Sequence, residues 1–118
     1  MTVAGREDHD ESVNEVHLVG RVSGSSRERT LPSGDVVVQL RLVVPRTIRM
    51  VSAQHRAAVD TIDLACWRAR ERRKALRLAD GAQVEVHGAL RRRFWRTPSG
   101  PASRYEVEVS QLVAQRGG

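Results

Sequence analysis

Arg91, Arg93 and Trp95, set two residues apart, are the side chains of this sequence best suited to chemistry with a ligand. In an extended strand alternate residues share a face at roughly 6 to 7 Å intervals, so the three form a row. Guanidinium groups grip phosphate oxygens and an indole offers a flat surface to an unstacked base, a combination that holds a single-stranded nucleic acid. The surrounding stretch 81–95 (GAQVEVHGALRRRFW) supports the strand: Val84, Val86, Gly88 and Leu90 have one parity, and Glu85, His87, Ala89 and the row itself have the other. The competing reading is a solvated basic edge with Trp95 folded into the core.

Other chemistries find little support. The histidines His9, His17, His55 and His87 are dispersed, no Ser/His/Asp triplet has a meaningful spacing, and no G-x-x-x-x-G-K phosphate loop occurs. No catalysis is expected, and neither a cofactor nor a metal. His17 has no second histidine near it in sequence, so a surface or interface position is the expectation. Glu106 and Glu108, on one face of a strand beside many arginines, read as ordinary solvent-side charges. Cys66 is the only cysteine; it can form no internal disulfide and falls on an apolar parity, where it reads as a small buried hydrophobe.

The 118 residues allow one small domain, and their net charge of +6 is unevenly spread. The first twelve residues carry −3 and the remainder +9, and arginine supplies nineteen of the twenty basic side chains. Nucleic acid is the natural partner of such a body. No apolar run reaches membrane-spanning length and no secretory pattern opens the chain, so a reducing cytoplasm is expected.

The elements that must position these residues follow from the pattern. Residues 1–12 read as a disordered acidic leader, 13–115 as the folded domain, and 116–118 as a short end. The first strand spans 14–22, with a polar connection over 23–34 that ends in a Pro32-Ser33-Gly34 turn. The second covers 36–44 with Arg41 facing away from the core, and 45–58 reads as a long basic loop carrying Arg46 and Arg49. The third, 59–68, turns Ile62, Leu64 and Cys66 inward and Thr61, Asp63, Ala65 and Trp67 outward. A short helix over 70–78, with Ala75, Leu76 and Leu78 as its apolar side and a solvated basic face, stops at Asp80-Gly81. After the fourth strand, 96–104 reads as a mobile hairpin tip bearing Arg96 and Arg104, and the fifth strand spans 105–115.

Three strands, a helix and two more strands form the order of an all-β, five-stranded Greek-key barrel, the OB-fold, whose outer sheet face and loops take oligonucleotides. On that architecture Arg41, Trp67, Arg91, Arg93 and Trp95 are expected to share a groove, joined by Arg46, Arg49, Arg96 and Arg104.

Residues 14–22 (NEVHLVGRV), the Pro32-Ser33-Gly34 turn, 80–84 (DGAQV) leading to 88–91 (GALR), and Phe94-Trp95 followed by Ser99-Gly100 resemble the bacterial single-stranded DNA-binding protein family, in register over about 13–113. The resemblance implies an OB-fold homotetramer that wraps single-stranded DNA with little sequence preference, in replication, recombination or repair, with the nucleoid in a bacterial cytoplasm. It implies stacking roles for Trp95 and for Trp67, which stands where the family usually has Phe, and groove roles for Arg91 and Arg93. RNA shares the stacking logic and is a possible alternative ligand.

The sequence also departs from the family. Thr61 and Ile48 stand where stacking tryptophans are usual, and aromatic content is 3%. Each stacked base is worth about 1 to 3 kcal/mol, so binding is expected to be weaker or more electrostatic, and Asp63 acts in the same direction. The family's acidic, hydrophobic-tipped end is not found in Gln115-Arg116-Gly117-Gly118, so recruitment of replication enzymes through it is not expected. The second functional reading is an OB-fold interaction or assembly module that binds nucleic acid weakly and partners a full-length paralogue or a replication-restart complex.

Overall fold

The computed structural model of the chain describes residues 11–46 and 58–115. Five strands, β1 (Val16–Thr30), β2 (Val36–Pro45), β3 (Val59–Cys66), β4 (Gln83–Thr97) and β5 (Gly100–Ala114), close in the order β1-β2-β3-β5-β4, with one helix, α1 (Ala69–Leu76), between β3 and β4. All neighbours are antiparallel except β3 and β5, whose short parallel pairing at Leu64↔Val107 and Ala65↔Glu108 seals the barrel. The acidic leader lies outside the described residues apart from its last two positions, as do most of the basic loop, including Ile48, Arg49 and His55, and the final three residues.

Alternation builds the interior. Val22, Val38, Leu40, Leu42, Leu64, Cys66, Val84, Val86, Val107, Val109 and Leu112 turn inward and leave water almost completely, and Ala75 of α1 joins them. Each such aliphatic side chain removed from water contributes roughly 1.5 to 3 kcal/mol of transfer free energy. Burial, with the Glu71 carboxylate as a lesser cause, pushes the Cys66 thiol up to about 12, so it is an inert core atom, as its parity predicts. Lys74 Nζ donates to the Leu112 carbonyl at 3.1 Å and ties the helix to β5. Leu76, expected on the apolar side of α1, is instead exposed, because the eight-residue helix turns only Ala75 and Glu71 fully inward.

Two glycines let the strands bend closely past their neighbours. A Cβ at Gly20 would lie 2.4 Å from the Val43 carbonyl oxygen, and one at Gly88 would lie 2.1 Å from that of Glu108. Gly88 adjoins the irregularity where Ser110 is passed over between the pairs His87↔Gln111 and Gly88↔Val109. That extra residue is why Leu112 and Val109, of opposite parity, both face the core.

Two segments differ from expectation. The polar connection 23–34 is mostly strand: β1 kinks at Gly24 (φ 80°), whose N–H donates to Asp80 Oδ1 at 2.7 Å, and then pairs with β2 from Arg27↔Gln39 to Thr30↔Val36. Only the Pro32-Ser33-Gly34 turn remains as connection, with Gly34 at φ 95°. The expected mobile tip at 96–104 is an ordered ladder that closes through Pro98 and Ser99, with Thr97 opposite Gly100. Polar side chains do not prevent this, because the ladder is made by backbone groups, and Pro101 is tolerated where no third strand needs its missing N–H.

Candidate nucleic-acid interface

β1 pairs with β4 only over residues 83–88 of β4, and β3 meets β5 only at Val107 and Glu108. Beyond those points β4 and β5 pair only with each other, over 89–97 and 100–106, and project as a two-stranded ribbon. The face with the parity of Arg91, Arg93 and Trp95 bends over Trp67 at the end of β3. The Arg72 guanidinium donates to the Trp67 carbonyl and anchors that residue at the start of α1.

A groove of about 480 Å³ results, lined by Trp67, Arg93, Trp95 and Arg104, with Arg29 and Gln39 from the strands of the first hairpin. The Arg93 guanidinium lies 4.4 Å from the centre of the Trp67 ring, and that of Arg104 lies 5.9 Å from the Trp95 ring. Trp95 is 44% exposed and Trp67 is half-buried, so neither indole is sealed in the core. A contiguous cavity of about 390 Å³ carries Arg27, Arg41, Asp63 and, shared with the groove, Arg104 and Glu106; Arg91 lines a third, beside Trp67 and Arg93.

Of the expected site residues, Trp67, Trp95, Arg93 and Arg104 therefore converge directly, and Arg41 and Arg91 border the same surface. Arg46 sits at the end of β2, ion-paired with Asp60 at 2.7 Å, which raises the guanidinium pKa and lowers that of the carboxyl. Arg96 is exposed near the ribbon tip and makes no ion pair among the described residues. Arg49 lies outside them.

The surface is less positive than its arginine content suggests. Asp63 lies between Arg41 (3.5 Å) and Arg104 (3.7 Å), Glu108 accepts from Arg91 at 2.8 Å, and Glu106 accepts from Arg93 at 2.6 Å. The reading of Glu106 as a solvent-side charge is corrected: it is 3% exposed, because the ribbon folds Arg93 and Trp67 over it. A carboxylate so placed needs its guanidinium, since a buried charge without a partner is costly.

The sequence reading passed over the ribbon's other face. Phe94 (71% exposed), which also borders the groove, and Tyr105 flank the Arg92 guanidinium, at 5.2 and 5.4 Å from the ring centres, and Arg92 also donates to Ser103 Oγ. Arg29, on the continuation of β1, was likewise missed. The length of the alternation through 104–106 was the available signal: a strand longer than the barrel needs must expose both faces. A second omission concerns His17, whose partner comes from tertiary structure. His87 stands directly opposite it on β4, their rings stacked at 4.3 Å, and His17 Nε2 lies 2.6 Å from Glu85 Oε2. That hydrogen bond, above all, holds the Glu85 carboxyl below its usual range.

Strand order, parallel closure and the helix between β3 and β4 define an OB-fold barrel with a groove of arginines and indoles. The family model for the single-strand binding protein family matches residues 13–115, and the chain belongs to that family. Single-stranded DNA-binding protein 1 from Streptococcus agalactiae serotype III (strain NEM316) is 29% identical over 103 residues, covering 87% of this chain and 60% of its own length. The protein of the same name from serotype V (strain ATCC BAA-611 / 2603 V/R) matches to the same extent. This chain thus spans about 60% of the length of the curated relatives it matches. A solved Plasmodium falciparum SSB complex with ssDNA shares the fold at a TM-score of 0.73 and 24% identity, over 90% of this chain and 97% of that one. No helix among the described residues is long and apolar enough to cross a membrane.

Proposed function

We propose that this chain binds single-stranded DNA with little sequence preference, through the groove between β3 and the β4–β5 ribbon, as a binder rather than a catalyst. The observation that carries the reading is the convergence of Trp67, Trp95, Arg93 and Arg104 on one groove, within a chain of this family. Phosphates are taken by Arg41, Arg91, Arg93, Arg96 and Arg104, with Arg46 at the end of β2 and, outside the described residues, Arg49. Bases stack on Trp95, the more open indole. Arg93 keeps its Nε on Glu106 and offers its remaining N–H groups to a phosphate, while Trp67 presents the part of its ring that Arg93 leaves uncovered. Hydrogen-bond readout of base identity is not needed, because every base has a face that stacks. Assembly as a homotetramer, and work in replication, recombination or repair, are the extensions that family membership supports.

Titration with oligo-dT, read by tryptophan fluorescence at several salt concentrations, tests this. Quenching is expected, with log K falling by about 0.7 per phosphate neutralised for each decade of salt. Trp95→Ala should weaken binding by about 1 to 3 kcal/mol, roughly 5- to 150-fold. Unchanged affinity in that variant would remove the stacking role.

The ion pairs within the groove give the second reading its support. Asp63, Glu106 and Glu108 already occupy four of the arginines assigned to phosphates, which favours weak intrinsic binding and a role as assembly partner of a longer paralogue. Native mass spectrometry of the chain mixed with such a paralogue distinguishes them: mixed oligomers support the partner role, and two separate species reject it.

A further inference from the structure

The tripeptide Glu-Val-His occurs twice, at 15–17 and 85–87. Antiparallel pairing of β1 with β4 sets His17 opposite His87, Leu18 opposite Val86 and Val19 opposite Glu85. Val86 is buried and Val16 packs against the core, so the flanking histidines and glutamates of both copies emerge together on the outer face. Glu85 lies diagonally from His17, and Glu15 lines the same cavity of about 460 Å³ as the two rings. None of the groove residues borders that cavity.

The geometry is compact. The imidazole planes are 7° apart with centres 4.3 Å apart, and Glu85 Oε2 lies 2.6 Å from His17 Nε2 and 3.4 Å from His87 Nε2. One ligand atom from each of the three residues lies within 4.8 Å of the others. Gln115 Nε2 donates to the other Glu85 oxygen at 3.4 Å and steadies the carboxylate from the end of β5.

We propose that His17, His87 and Glu85 form a binding site for one divalent transition-metal ion per chain, with zinc as the physiological candidate. Two imidazoles and a carboxylate are a donor set for zinc, nickel or copper, whereas magnesium and calcium require oxygen ligands. Ligands held tetrahedrally at about 2.0 to 2.2 Å from zinc stand roughly 3.3 to 3.6 Å from one another. The Glu85–His87 separation already has that value, the His17–Glu85 pair has to open by about 1 Å, and the two stacked rings have to turn so that both in-plane Nε2 lone pairs point at the ion, all side-chain rotations at an exposed surface. The paired backbones hold all three Cα atoms in register, so only side-chain torsions are left for the ion to set. The fourth position is left to water. An ion there clamps β1 to β4 and stabilises the barrel by mass action.

The experiment uses the full chain freed of metal with EDTA and then titrated with Zn²⁺ by calorimetry, and with Co²⁺ by visible absorption. One Zn²⁺ per chain is expected at micromolar affinity or better, with a rise in Tm that EDTA reverses. His17→Gln and His87→Gln should each weaken binding about tenfold or more, with circular dichroism confirming that these exposed-site variants stay folded. A His9→Gln/His55→Gln variant should bind as the unaltered chain does. The proposal is overturned if the chain shows no saturable Zn²⁺ binding below 100 µM, if His17→Gln/His87→Gln together leave affinity unchanged, or if one ion is bound per two chains. An ordinary cross-strand hydrogen-bonded trio gives the first of these results.

Discussion

The barrel wall and the projecting ribbon are built from the same two strands, and the same parity means different things in each. In β4, Val84 and Val86 are completely buried, whereas Leu90, Arg92 and Phe94, at the same parity, are exposed. The barrel half has further strands and a helix to close over its inner face, and the ribbon half has neither. Burial is therefore set by what lies across from a strand, and the ribbon is left free to carry aromatic and cationic side chains on both sides.

The comparison fails if the barrel tolerates what the ribbon tolerates. Gly88→Val puts a side chain against the Glu108 carbonyl and should cost about 3 kcal/mol. This lowers Tm by roughly 12 °C or more, while Ser99→Val at the ribbon tip should stay within about 0.5 kcal/mol. Equal Tm values in a thermal melt would contradict the contrast.

Within the ribbon, two arginines on one face should differ. Arg93→Met leaves the buried Glu106 without its guanidinium and should cost about 2 kcal/mol in chemical denaturation. Arg91→Met breaks a pair whose carboxylate is half-exposed and should cost under about 0.5 kcal/mol.

Asp63→Asn, which releases Arg41 and Arg104, should strengthen oligo-dT binding by under about 1 kcal/mol, at most fivefold. Weaker binding in that variant would show that the two arginines do not reach DNA. The smallest effect concerns Cys66. Its thiol should resist alkylation until the barrel unfolds. Because its folded pKa is raised from 9.0 to about 12, the thiol contributes stability that is lost as pH rises through that interval. Cys66→Ala should flatten this alkaline slope.

Much of this was legible from residues alone. Alternation in 16–22, 36–44 and 84–86 placed the core, since a strand in a two-layer wall must repeat its apolar residues every second position. The row Arg91, Arg93 and Trp95, with Trp67, pointed to one groove. The reach of β1 to Thr30 and the ordered ladder through 96–104 were not legible, because polar strands far from a core are held by backbone bonds that leave no periodic apolar trace. Glu106 misled for the same reason in reverse: parity gave its face and could not show that Arg93 and Trp67 close over it.

By itself, then, the sequence determined which side chains share a face, where the chain turns and that its body is cationic, because these depend on neighbours one to four residues away. Only the tertiary structure decided that three carboxylates neutralise the groove's arginines, that the ribbon has two exposed faces, and that His17 meets His87 seventy residues on. Each of those depends on which strands the closing barrel brings side by side, and the pairing energy that selects them is spread over the whole wall.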